Sequence, residues 1–363
     1  MTKKTFLLLF FIIIGLFYGY ASSEAKSAEA GEAKEEFNMT ELIMHHIKDA
    51  HEWHILEYKQ DDGSTKAVTV PLPIIVYANG QLDVFLSSAF HHGEEPVTRG
   101  NNTYILHHEK IYLANENGSL DTKEEAGEEV ILNAKAWDFS ITRNVASMLL
   151  VSIVLVLIFI NVARSYKKNP GRPKGLQSFL EPIILFVKND IIRPSLGNRT
   201  DKFAPYLLTV FFFILFNNLM GIIPFFPGGS NATGNIAVTL TLALFTFFAI
   251  NLFGNKHYWK HTFWMPGVPV FVKPILAIVE LMGLIVKPVA LTIRLFANIT
   301  AGHIIILSLV GLIFLFQWVM TPVSFIFVLF MDCLELLVAF LQAYIFTMLS
   351  SVFIGISTEE HHH

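Results

Sequence analysis

The sequence predicts an all-α polytopic membrane protein of about five membrane helices, the last two forming a long tilted hairpin, preceded by a small α+β extracytoplasmic domain. Three observations carry this. The chain has 363 residues, 53% of them hydrophobic and 33 of them Phe, with a positive mean hydropathy, a composition that belongs to a membrane protein with a polar part. Its net charge of −4 hides an asymmetry: residues 22–136 hold 21 acidic against 9 basic side chains, and residues 164–202 hold 9 basic against 3 acidic. Regions of such opposite charge belong on opposite sides of a membrane. Finally, ionisable residues sit inside runs otherwise apolar enough to lie in a bilayer, as in LTIRLFANITAGH.

The N-terminus, MTKKTFLLLFFIIIGLFYGYASSEA, has two lysines, a short apolar run and small residues after it. It reads as a signal peptide over residues 1–21, cut near Ala21 or Ala25. The alternative is a retained first helix, for which residues 6–20 fall short of the roughly 20 apolar residues a span needs. The acidic, histidine-rich domain follows, over residues 22–136. In it ELIMHHIKDAHEWHIL predicts a helix, and VTVPLPIIVYANGQLDVFLSS predicts two strands around Asn79-Gly80, the dipeptide best suited to a tight hairpin turn. TYILHHEKIYLA adds one or two further strands. The eight histidines here, His45, His46, His51, His54, His91, His92, His107 and His108, carry no specific ligand spacing, so surface histidines are expected and no metal site. Cys333 is the single cysteine, which excludes an intramolecular disulfide.

Residues 145–163 predict the first span, and the basic RSYKKNPGRPKG after it marks the cytoplasmic side. GLQSFLEPIILFVKNDIIRPS, with Pro182 and Pro194, predicts a broken amphipathic helix at the interface, closing a section over residues 137–204. Residues 206–223 and 236–253 predict a helical hairpin within residues 205–261, whose return loop NKHYWKH is basic and goes inside. Residues 271–316 would extend about 68 Å as one helix against a hydrocarbon core of about 30 Å. That segment either breaks at Pro288 or lies steeply tilted. Residues 322–356 pose the same problem more mildly, so residues 262–357 are assigned to long tilted helices and residues 358–363 to a cytoplasmic tail. With the N-terminal domain periplasmic, five segments leave the C-terminus in the cytoplasm of a bacterium, the protein lying in the inner membrane.

Glu280, Lys287 and Arg294 recur every seven residues, nearly two helical turns, and share one face with Asn298 one turn further on. On the last segment Asp332 and Glu335 share a face, and Gln342 follows Glu335 by seven. His303 is placed to face Glu335. Such groups could merely pair and hold the bundle together, but titratable groups spread along two spans favour a proton or ion path. Arg294 stays cationic at any ordinary pH, so it cannot relay a proton. It can act as a fixed electrostatic gate that makes a nearby carboxylate release its proton. A gate of this kind requires a partner carrying an acidic residue at membrane depth.

The chain resembles subunit a of F-type ATP synthases over residues 136–360. The residues that carry the resemblance are AWDFSIT, GRPKGLQSFLE, FNNLMGIIPF, KPVALTIRLFANITAGH and LELLVAFLQAYIFTMLS. The resemblance implies a non-catalytic subunit whose two long helices lie against a ring of c subunits, each with an ionisable carboxylate. It implies that Arg294 separates two proton half-channels, that Asn298, His303, Glu335 and Gln342 line the path from the outer side, and that Glu280 lies on the cytoplasmic path. Lys287 also has a family counterpart, although snorkelling to a headgroup suits it equally; Asp332 is at most accessory. The b-subunit stalk, the F1 head, membrane lipid and protons are the implied partners. Many bacterial members have Glu where this chain has His303 and His where it has Glu335, so the acid–imidazole pair is exchanged rather than lost. Ala297 stands where a glycine is common, a small-for-small change that still permits close helix packing. No GxxxxGK[ST] phosphate loop is present, so no nucleotide binding is expected; no cofactor and no nucleic-acid partner are expected either.

Overall fold

The computed structural model describes residues 49–59, 65–93, 95–115, 117–125, 128–168, 174–223, 226–230 and 232–359. The signal peptide, His45 and His46 lie outside the described residues. The chain divides into two compact bodies, residues 1–148 with 223–230, and residues 149–222 with 231–363.

The first body is built from antiparallel strands. β1 (Glu52–Lys59) pairs with β2 (Thr65–Pro71). β3 (Pro73–Ala78) and β4 (Gln81–Leu86) form the expected hairpin, with φ of 51° at Asn79 and 81° at Gly80, the positive values that such a turn requires. β5 (Val97–Arg99), β6 (Asn102–His107) and β7 (Lys110–Leu113) make a second sheet, and β8 (Thr122–Glu125) pairs with β9 (Glu128–Ile131). β10 (Trp137–Asp138) returns to pair with β3. Alternate residues of the two three-stranded sheets, among them Ile74, Val76, Phe85, Val97, Tyr104 and Ile111, close one core with Phe90.

The helix expected over residues 41–56 is corrected from Glu52 onward. Trp53 is buried, and ladder bonds to β2 decide the matter for β1, since pairing across strands outweighs a local helical pattern in a short segment. Residues 41–48 lie outside the described residues.

The expectation of surface histidines fails at His51, whose side chain is only 2% exposed. Its Nε2 lies 2.8 Å from Asp138 Oδ2 and its Nδ1 3.3 Å from Glu109 Oε2. Burial alone would favour the neutral ring, but the two carboxylates outweigh it and push the pKa up to about 9. Burial also works against the charged form of Asp138, yet hydrogen bonds from His51 and Ser140 hold its carboxyl below the ordinary value. Glu109 reaches His51 from the β6–β7 turn, where His108 and Glu109 both have positive φ. A second buried network joins Tyr104, whose hydroxyl donates to Asp83 at 2.7 Å, with Asn102 and Asn79. Burial and the neighbouring carboxylate push the Tyr104 pKa up to about 12.

In the second body, α1 (Arg143–Lys168) covers the first expected span. α2 (Leu176–Phe186) continues through a π-helical segment, Val187–Ile192, and one further turn, Arg193–Leu196. This is the broken helix read from the sequence: the wider π turn absorbs an extra residue, and Gly197 at φ 52° ends the run. α3 (Thr200–Ile222) and α4 (Ile236–Leu252) supply the expected hairpin. The stretch read as a return loop is instead a short helix, α5 (Lys256–Phe263), bent by 101° from α4. Asn255 fixes it by donating to the carbonyl of Thr358 at 2.7 Å.

α6 (Lys273–Thr358) is one helical run of 86 residues made of two arms, Lys273–Ile313 and Thr321–Thr358; the first arm passes through Pro288, so the break considered there does not occur. A proline forfeits one helical hydrogen bond, and Pro288 is buried, its carbonyl accepting from the Thr292 hydroxyl at 2.9 Å. By length and composition four described helical stretches could cross a membrane, Arg143–Lys167, Leu176–Ile222 and the two arms of α6, or five if α4 and α5 count as one bent span. The core runs along α3, where Leu207, Phe211, Phe212 and Ile214 meet Leu291, Leu295, Ala343 and Phe346 of α6.

Candidate functional site

The site residues expected from the sequence all lie on α6. A straight helix would hold His303 and Glu335, 32 positions apart, at about 48 Å. Instead His303 Nδ1 lies 2.6 Å from Glu335 Oε1, so α6 folds back on itself and its two arms pack antiparallel. Lys287 over the ring of Phe353, at 5.3 Å, fixes the register further along. The arms are close at Gly302, where a Cβ would stand at ordinary contact distance, 3.6 Å, from Glu335 Oε1.

The pair is sheltered, with Glu335 6% and His303 17% exposed. Gln342, two turns along the same arm, is 2% exposed. Arg294 and Asn298 point the other way: both are exposed, and among the described residues Arg294 has no hydrogen-bond or ion-pair partner. Glu280 and Lys287 are partly buried, as is Asp332, whose Oδ1 is enclosed without a hydrogen-bond partner. The structure therefore joins His303 to Glu335, as expected, and leaves Arg294 unpaired with either Glu335 or Glu280. The idea that the arginine merely holds the bundle together is not what the geometry supports. A cation displayed on an apolar surface needs something outside the chain to face it.

Elements around α6 set its position. Asn218 of α3 donates to the Ala339 carbonyl at 3.1 Å and accepts from Thr233 at 2.6 Å, tying α3 to the arm that carries Glu335. Tyr206, Thr246 and Ser350 form a hydroxyl chain across α3, α4 and α6. The Tyr344 ring stacks on Phe186 of α2. Sequence reasoning quoted FNNLMGIIPF without giving Asn218 a task; a buried amide in an apolar helix was the signal for it.

Residues 145–355, more than half of the chain, match the family model described as ATP synthase A chain. Residues 42–139 match a second model, described as a domain of unknown function, DUF8433. The chain is similar to ATP synthase subunit a of Pelodictyon phaeoclathratiforme, at 42% identity over 292 residues that cover 76% of this chain and 80% of that one. It is likewise similar to ATP synthase subunit a of Chloroherpeton thalassium, 45% identical over 62% of this chain and 69% of that one. ATP synthase subunit a 2 of Chlorobaculum tepidum is 46% identical over 62% of this chain and 66% of its own length.

Proposed function

The chain belongs to the ATP synthase A chain family, and from that premise we propose that it is the stator subunit that passes protons along two half-channels against a ring of c subunits. Arg294 is the fixed gate between them. The guanidinium cannot lose its proton, so a ring carboxylate approaching it must release its own. The same charge repels a hydronium ion that would cross directly from one half-channel to the other. His303, Glu335, Gln342 and Asn298 line the path from the outer side, and Glu280 lies on the cytoplasmic path, with Lys287 accessory. The subunit carries no catalytic site of its own; ring rotation drives the F1 head, with the b-subunit stalk holding the stator. On this reading the protein lies in a bacterial inner membrane with residues 22–136 in the periplasm and the C-terminus in the cytoplasm, which the basic loops after the first span and after the hairpin support.

The observation that carries this reading is the contrast between two charges on one helix: the enclosed His303–Glu335 pair and the exposed, unpartnered Arg294. An acid–imidazole pair can receive and release a proton, whereas a displayed arginine can only bias what passes it. The test is Arg294→Ala in the assembled complex, read as ATP-driven acidification of inverted membrane vesicles with head hydrolysis checked separately. Lost pumping in an assembled complex is expected, and normal pumping would overturn the gate.

A further inference from the structure

Asp332 precedes Glu335 by three positions, which makes the two neighbours on one helical face. It lies within electrostatic reach of both Glu335 and His303, the titratable groups that face it from its own arm and from the opposite one. His303 Nδ1 is committed to Glu335, and Asp332 Oδ1 is enclosed with no hydrogen-bond partner among the described residues. A buried carboxylate oxygen without a donor calls for a task other than packing, most of all in a membrane segment.

The register gives that task a direction. With His303 beside Glu335 and Lys287 over Phe353, Asp332 lies beyond the pair on the side of the hairpin's turn. It stands about 4.5 Å along the axis from Glu335, whereas Arg294 lies about 13.5 Å from His303 the opposite way. Asp332, the pair, Gln342 with Asn298, and Arg294 thus follow one another along the hairpin.

We propose that Asp332 is a relay carboxylate that passes protons between the outer aqueous side and the His303–Glu335 pair, a role that rests on the proton-path reading above. During synthesis its free oxygen takes a proton from water on the outer side and hands it on to the pair. It returns to carboxylate with no other bond changed.

The experiment uses the assembled complex in inverted vesicles, whose lumen corresponds to the outer side, and reads ATP synthesis driven by luminal acid over a range of luminal pH. Asp332→Asn should lower the rate about tenfold, less than the roughly 100-fold or more of a group that alone transfers the proton, and displace the luminal pH profile. Asp332→Glu should restore most of the rate. If Asp332→Asn keeps the parental rate and profile while Glu335→Gln abolishes synthesis, Asp332 is no relay although the path stands. If Glu335→Gln also synthesises normally, the path reading itself falls. A rate lost in both Asp332 variants with an unmoved pH profile would make Asp332 a structural residue and overturn the proposal. Should the Asn variant fail to assemble, the pH profile of Asp332→Glu decides: a relay displaces it, a packing residue does not.

Discussion

His303 Nδ1 and Glu335 Oε1 meet at 2.6 Å from the two arms of α6, 32 residues apart in the chain, so one contact both closes the hairpin and sets its register. Neither residue could be exchanged for an apolar one without leaving the other enclosed and unpaired. Glu335→Gln keeps a hydrogen-bonding side chain but removes the carboxylate to which the proposed path assigns proton transfer. Proton pumping should fall by about 100-fold, within the range for general acid–base groups. The double exchange His303→Glu with Glu335→His recreates the pair with its partners reversed and should recover most of the loss. A double variant no better than the sum of the single ones, measured as a double-mutant cycle, would show that the pair does not act as a unit.

Arg294 should separate function from stability. It has no partner among the described residues, so Arg294→Ala should change the unfolding free energy of the subunit by no more than about 0.5 kcal/mol. Pumping should nevertheless be lost. A large drop in melting temperature of the detergent-solubilised complex would mean that the guanidinium is structural after all.

The first body should weaken in alkali through His51. Its raised pKa of about 9 means that the folded state binds this proton more tightly than the unfolded chain, whose ordinary value is 6.5. The resulting stability, on the order of 3 kcal/mol, is complete below about pH 6.5 and is lost as pH rises through about 9. Asp138, with its carboxyl held low, contributes in the opposite sense: its share is present above the ordinary carboxyl value and disappears only in strong acid. Hydrogen-exchange protection of residues 49–142 in the whole protein, corrected for intrinsic rates, should therefore decline between pH 7 and 9.5. His51→Gln should flatten that decline; a pH response identical to the parent's would remove His51 as its source.

Gly355 marks a close approach. A Cβ there would collide with the backbone oxygen of Ser195, on the turn that follows the π segment. Backbone cannot step aside as a flexible side chain can, so Gly355→Ala should destabilise the subunit by about 1–3 kcal/mol. Thermal unfolding of the solubilised protein measures this, and a variant melting with the parent would show that the segment yields freely.

Much of this was legible in sequence. The spans followed from apolar runs of membrane length, because backbone groups in lipid must be satisfied within a helix. The β3–β4 turn followed from Asn79-Gly80, because few other residues adopt positive φ cheaply. The polar stripes that carry His303 and Glu335 followed from helical periodicity along each segment. By contrast, β1 looked helical because the apolar residues of HEWHIL fit two periods at once, and only the ladder to β2 resolves which applies. His51 looked like one surface histidine among eight, since its carboxylate partners come from 58 and 87 positions away.

The sequence by itself determined which residues enter the membrane and which of them carry charge there, because transfer from water is a property of composition and period. Tertiary structure alone decided which charges meet. The fold-back of α6 brings His303 to Glu335, leaves Asp332 Oδ1 enclosed without a partner and turns Arg294 outward. Pairing depends on distances between segments remote along the chain, and no local pattern of residues encodes them.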